Sequence, residues 1–237
     1  MDVEPLVTEI EADLRARGVP ERAASEKAYL KSELEHYGAS MPAIRAVAKS
    51  VRQRHPDLDH DDLVALVEAL WAAPVHEHRM VTVELLDLYS DRLGPDDMAL
   101  LERLLRASRT WALVDGLAAS VVGTVVERHP ASAVVLDRWA TDDDFWIRRS
   151  ALLALLVPLR RGEGDFERFT RYADAMLEEK EFFIRKAIGW VLRDTARKRP
   201  TMVYDWFLPR AGRASGVTVR EVVKPLSAEQ RAAVLDS

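Results

Sequence analysis

Asp144-Phe145-Trp146-Ile147-Arg148-Arg149-Ser150 lines up with Glu181-Phe182-Phe183-Ile184-Arg185-Lys186-Ala187, 37 positions further along the chain. A weaker echo pairs Leu70-Trp71-Ala72 with Arg138-Trp139-Ala140 at a spacing of 68, close to two shorter repeats. Around these stretches apolar residues recur at helical spacing almost everywhere, and the interruptions are short: Gly18-Val19-Pro20, Arg54-His55-Pro56, Ala73-Pro74, Gly94-Pro95, His129-Pro130, Gly162-Glu163-Gly164 and Arg199-Pro200. Asp59 and Asp96 stand near such breaks as helix-starting residues. No interruption is long or Ser/Gly-rich enough to act as a linker, so the expectation is one continuous domain over residues 1–237.

Self-similar units of this length, built from helix pairs, bury their apolar faces only by stacking on their neighbours. The expected fold is therefore all-α: a curved α-solenoid of HEAT-like repeats, its concave face lined by the second helix of each pair and suited to an extended ligand. Composition agrees. A hydrophobic fraction of 48% excludes a disordered or collagen-like polymer, and only 10 Gly and 11 Pro in 237 residues speak against a sheet with many tight turns. With no cysteine there is no disulfide framework, thiolate zinc site or cysteine nucleophile. The start, MDVEPLVTEIEADL, lacks the basic-then-apolar order of a secretory signal, which points to a cytoplasmic protein.

The net charge of −5 conceals an asymmetry. Residues 1–144 carry 16 Lys and Arg against 27 Asp and Glu, whereas residues 145–199 carry 13 against 8. A basic third on an acidic remainder is compatible with a localised polyanion-binding face.

Within Thr110–Val126 (TWALVDGLAASVVGTVV) the single charge is Asp115. The segment is too short and too interrupted by Gly and Ser to span a membrane. A carboxylate among so many apolar residues either pairs with a cation, such as an arginine of the next repeat, or faces an open groove. Trp111, four residues earlier, shares its helix face. Trp146 with Arg149, and Lys186 with Trp190, repeat the combination of ring and ion. Tyr29 and Lys31, in an early helix read as SEKAYLKSELEHYG, add a contribution from the far end. Trp71, Trp139 and Trp206 read as core. Arg197-Lys198-Arg199 reads as a solvated C-terminal turn. His76 and His78, two apart, point to different faces and make no metal site together. GxGxxG, P-loop, GxSxG and HExxH motifs are absent, which removes the support for nucleotide binding, acyl transfer and zinc hydrolysis.

Taken together, Tyr29-Leu30-Lys31, Leu70-Trp71, Thr110-Trp111 with Val114-Asp115, Trp146-Ile147-Arg148-Arg149 and above all the block from Phe182 to Arg193 (FFIRKAIGWVLR) resemble the bacterial DNA alkylation repair glycosylases of the AlkD family. The resemblance runs over nearly the whole chain. It implies a monofunctional hydrolase that excises cationic N3- or N7-alkylated purines, such as 3-methyladenine and 7-methylguanine, from duplex DNA in base excision repair. It also implies a cleft made of Tyr29, Trp111, Trp190, Asp115 and Arg149, reaching the lesion without flipping the base. Lys186, Arg148 and Lys31 are further candidates for contact with DNA. The implied protein works as a cytoplasmic, nucleoid-associated monomer with no membrane partner, no cofactor and no metal. The family has an aromatic doublet before the aspartate in some members, where this chain has Thr110 and Trp111. Two other functions fit the same repeats: a noncatalytic HEAT scaffold binding nucleic acid or protein, and a specialised self-resistance glycosylase for bulky natural-product adducts.

Overall fold

The computed structural model describes residues 2–237, which form helices joined by short turns, with no β-strand among them. Cα packing divides the chain into two compact units, one ending at Asp97 and one running from Met98 to Ser237. The first holds α1 (Glu4–Ala16), α2 (Pro20–Leu30), α3 (Met41–Arg54), α4 (His60–Ala72) and α5 (His76–Leu88). The second holds α6 (Met98–Ser108), α7 (Trp111–Gly116), a π-helical segment (Leu117–Val122), α8 (Gly123–Arg128), α9 (Ala133–Trp139), α10 (Phe145–Leu153) and α11 (Leu156–Arg161). It continues through α12 (Phe166–Ala175), α13 (Phe182–Ala196), α14 (Pro200–Phe207), α15 (Gly216–Val222) and α16 (Ala228–Leu235). The fold is an all-α helical-repeat solenoid, as the internal repeat predicts.

The repeat has a local meaning at the two helix starts. Asp144 accepts a hydrogen bond from the Trp146 amide at the N-terminus of α10, and Glu181 does the same for Phe183 at α13. The aligned acids are thus both caps, each satisfying an amide that has no partner within its helix. Asp59 caps α4 in the same way through the Asp62 amide. Gly162 and Gly164, at φ 87° and 75°, terminate α11 in a conformation that costs other residues strain. The core is aliphatic, and α13 packs against α10, α11, α14 and α15. Trp71 and Trp139 are buried as expected, and Trp206 is half-buried beneath the Arg210 guanidinium.

One helix is shorter than the sequence suggests. The stretch SEKAYLKSELEHYG stops being helical at Leu30, and Lys31 closes α2 at φ 49°. The following loop is held by the buried Glu77 carboxylate, which accepts from the amides of Tyr37 (3.0 Å), Gly38 (2.7 Å) and Ala39 (3.2 Å). α2 buries no residue, so no apolar face repays continuing the helix, while Glu77 offers those amides a charged acceptor. Gly38, at φ 82°, lies so close to α2 that an added Cβ would sit 2.1 Å from the Val19 carbonyl oxygen.

Charged side chains stitch neighbouring repeats together. Arg106–Asp142, Arg160–Asp194, Lys186–Glu221 and Arg210–Asp174 join residues 34 to 36 positions apart, one repeat length. Glu102 lies at one such junction: Arg138, Arg106 and the Trp139 indole donate to it and hold it down at about 2, although burial opposes them. Burial pushes Glu221 up, but Lys186, Lys224 and Arg193 together outweigh it and also leave it at about 2. Both carboxyls therefore titrate lower folded than unfolded, where about 4.5 is usual. Their stabilisation is complete above that value and is lost as pH falls through it toward 2. Urea midpoints should decline across this window, and less steeply in Glu102→Gln; identical profiles for variant and parent would show that this junction contributes no pH dependence.

Candidate active site

Trp111 begins α7, and Asp115 follows one turn later. The π-helical segment comes directly after, from Leu117, so the apolar face that anchors α8 is offset from the one that anchors α7. Asp115 remains partly accessible, with 19% of its side chain exposed, while Leu113, Val114 and Leu117 are buried. Trp111 is 38% exposed on the same face.

Arg149 arrives from α10 and meets Asp115 in a two-pronged ion pair, Nε to Oδ1 and Nη2 to Oδ2, both at 2.8 Å. Its Nη1 donates to the Phe183 carbonyl at the start of α13. Only 3% of the Arg149 side chain is exposed. One guanidinium therefore ties α7, α10 and α13 together, and its donors face inward. An arginine of the next repeat pairs with the aspartate, one of the two environments the sequence allowed; the carboxylate edge nevertheless stays open to solvent.

On α13, Lys186 and Trp190 are one turn apart. The Trp190 indole donates to Asp194 at 3.1 Å, and the buried Asp194 carboxylate is fixed in turn by Arg160 and Arg193. The ring is thereby pinned. Lys186 donates to Glu221 at 2.6 Å. Trp146 is buried against Phe145 and Phe183, so its ring belongs to the core and not to a groove. Arg148 spends its donors on Glu179 and on the carbonyls of Asp142 and Asp143. Tyr29, at 74% exposure, and the exposed Lys31 lie in the first unit, at the end of α2.

Sequence reasoning missed three participants. Asp194 carries a signal, its i, i+4 spacing from Trp190. Glu221 carries none, because its partners Lys186 and Arg193 lie a repeat earlier. The Phe183 carbonyl is a backbone group and invisible to residue type.

Residues 10–226 match the sequence pattern described as DNA alkylation repair enzyme. The chain belongs to the DNA alkylation repair enzyme family. The fold agrees with the family. A predicted DNA alkylation repair enzyme from Enterococcus faecalis superposes with a TM-score of 0.80 at 23% identity, over 90% of this chain and 98% of that one. AlkD2 from Streptococcus mutans superposes with a TM-score of 0.66 at 16% identity, over 96% of this chain and 100% of that one. No curated protein sequence matches significantly. Among the described residues no helix is long and apolar enough to cross a membrane.

Proposed function

We propose that this member of the family is a monofunctional DNA glycosylase acting on cationic N3- or N7-alkylated purines in duplex DNA. The observation that carries the reading is the partly exposed Asp115 carboxylate, held beside Trp111 by a buried arginine. An alkylated purine is already a good leaving group, so the reaction needs no general acid; it needs a negative charge beside the sugar as the glycosidic bond breaks. A carboxylate about 4 Å from the developing oxocarbenium stabilises it by about 4 kcal/mol at an effective dielectric of about 20. The Arg149 charge, about twice as far away, opposes with about 2 kcal/mol. The remainder, about 2 kcal/mol or thirtyfold, helps a base that is already weakly bound and does little for an ordinary purine. Asp115 also aligns the attacking water, and the faces of Trp111 and Trp190 favour a cationic sugar or base.

In this reading Arg149 positions Asp115. Its donors are taken up by Asp115 and the Phe183 carbonyl, which leaves phosphate to other cations. Lys180, Arg197, Lys198 and Arg220 are exposed and make no ion pair, and Arg197 lines an open cleft with Arg193, Lys224 and Pro225. Each phosphate contact contributes about 0.9 to the slope of log K against log salt. Arg197→Glu with Lys198→Glu is expected to weaken duplex binding and flatten that slope, while Arg17→Glu in the acidic unit does neither. Equal effects from both would contradict a localised face. Tyr29, Lys31 and Lys186 are further proposed DNA contacts, Lys186 through the part of its side chain that Glu221 leaves open.

The reading is tested with duplex oligonucleotides bearing 7-methylguanine or 3-methyladenine. Free base should appear, with an intact abasic strand. Strand cleavage through a Schiff base needs an amine at the sugar, and Lys186 is engaged by Glu221. Borohydride should therefore trap no covalent adduct. Absence of free base from both substrates would favour a noncatalytic scaffold.

A further inference from the structure

Three side chains that the proposed chemistry does not use converge in the first unit. Glu26 comes from α2, His36 from the loop held by Glu77, and His76 from the start of α5; one ligand atom of each lies within 4.8 Å of the others. The His36 Nδ1 is 3.7 Å from Glu26 Oε2. The two imidazoles stack with centroids 4.4 Å apart and planes 8° from parallel. The His36 side chain is 1% exposed and His76 is 3% exposed. Both nitrogens of His36, Nδ1 of His76 and Oε2 of Glu26 are buried without a hydrogen-bond partner. Buried polar atoms are nearly always satisfied, so unsatisfied ones on three side chains, with one ligand atom of each converging, call for a common partner. Three residues supplying lone pairs to a single point suit a cation.

We propose that Glu26, His36 and His76 bind a divalent transition-metal ion of the zinc type, with water as the fourth ligand. Two imidazoles and a carboxylate select zinc, cobalt or nickel over magnesium and calcium, which prefer oxygen donors only. Bonds of about 2.0–2.1 Å in a tetrahedron place ligand atoms about 3.3 Å apart, so the ion draws the three groups inward and splays the parallel rings. Arg22 already fixes the other Glu26 oxygen at 3.4 Å, and the His76 neighbour Glu77 is committed to the loop amides. Arg79, three residues beyond His76, is the cation the site must tolerate. The His76–His78 spacing speaks against those two residues as a pair; the fold instead brings His76 to His36, 40 positions earlier.

The ion's role follows from what α2 lacks. With no buried residue of its own, α2 is held mainly by its ends. A metal joining Glu26 to the histidines fastens that helix, and with it Tyr29, one turn beyond Glu26. The site is structural and independent of the chemistry at Asp115.

The test is calorimetric titration of the full, chelator-stripped chain with zinc alone. One ion per chain is expected, with dissociation in the micromolar range or tighter. His36→Gln and Glu26→Gln should each weaken binding at least about a hundredfold, whereas the combined His55→Gln and His129→Gln variant should not. Zinc should also protect the parent chain from trypsin at Lys27 and Lys31, and should not protect Glu26→Gln. If His36→Gln does not fold, Glu26→Gln decides, because the substitution keeps the side chain's size on a helix that contributes no residue to the core. No saturable binding by the parent chain, or equal binding by Glu26→Gln, overturns the proposal.

Discussion

Asp115→Asn is expected to lower base release about a thousandfold per folded molecule, because the carboxylate's stabilisation of about 4 kcal/mol is removed while the opposing Arg149 charge stays in place. Duplex affinity should stay within a few fold, because Asp115 touches no phosphate in this reading. The substitution has a second consequence. It leaves Arg149, 3% exposed, facing a neutral amide, and breaking a buried pair by removing one partner costs about 3–5 kcal/mol. Activity must therefore be measured per folded molecule, with stability followed in parallel. The double variant Asp115→Asn/Arg149→Met separates the two effects, since replacing both partners with groups of similar volume removes the stranded charge. It should regain most of the lost stability but only about thirtyfold of the activity, the share that the stranded Arg149 charge of about 2 kcal/mol had opposed, and so stay about thirtyfold below the parent. Base release returning to the parent rate together with stability would reduce the pair to a strut between repeats.

The same pair shows how far the sequence could be read. An isolated aspartate in an apolar stretch, a tryptophan one turn before it and a repeated basic motif at residue 145 are all visible as spacing. Helical period and proline breaks located the helices because each reflects a local constraint on the backbone. Which cation meets which acid is decided at a distance of one repeat, and the arginine could equally have faced solvent. The surplus positive charge of residues 145–199 overstates the cations left for a ligand for that reason: Arg148, Arg149, Arg160 and Arg168 are paired with acids of the protein itself. The exposed cations of this region that make no ion pair are Lys180, Arg197 and Lys198, the last two in a turn that composition alone marked as merely solvated.

The loop after α2 was the least legible element, because its conformation depends on one residue 40 positions away. Glu77→Ala is expected to destabilise the first unit by at least about 3 kcal/mol, since three amides lose their acceptor in a place water does not reach and each unsatisfied buried group costs about 1–3 kcal/mol. Glu77 is 0% exposed, and the amides of Tyr37, Gly38 and Ala39 converge on its two oxygens. For a unit of this size that loss lowers the thermal midpoint by more than about 10 °C. Glu77→Gln is the sharper probe. One oxygen remains to accept from Gly38 and Ala39, but the new amide group turns a donor toward the Tyr37 amide, so the loss should be intermediate and should concentrate in faster hydrogen exchange at Tyr37. A fall of less than about 1 kcal/mol in Glu77→Ala, within the range of one ordinary hydrogen bond, would mean that the loop is held by its other contacts. In that case the placement of His36 beside His76 would rest on the backbone bonds that join Glu35 to Pro74 and His76, together with the stacking of the two rings.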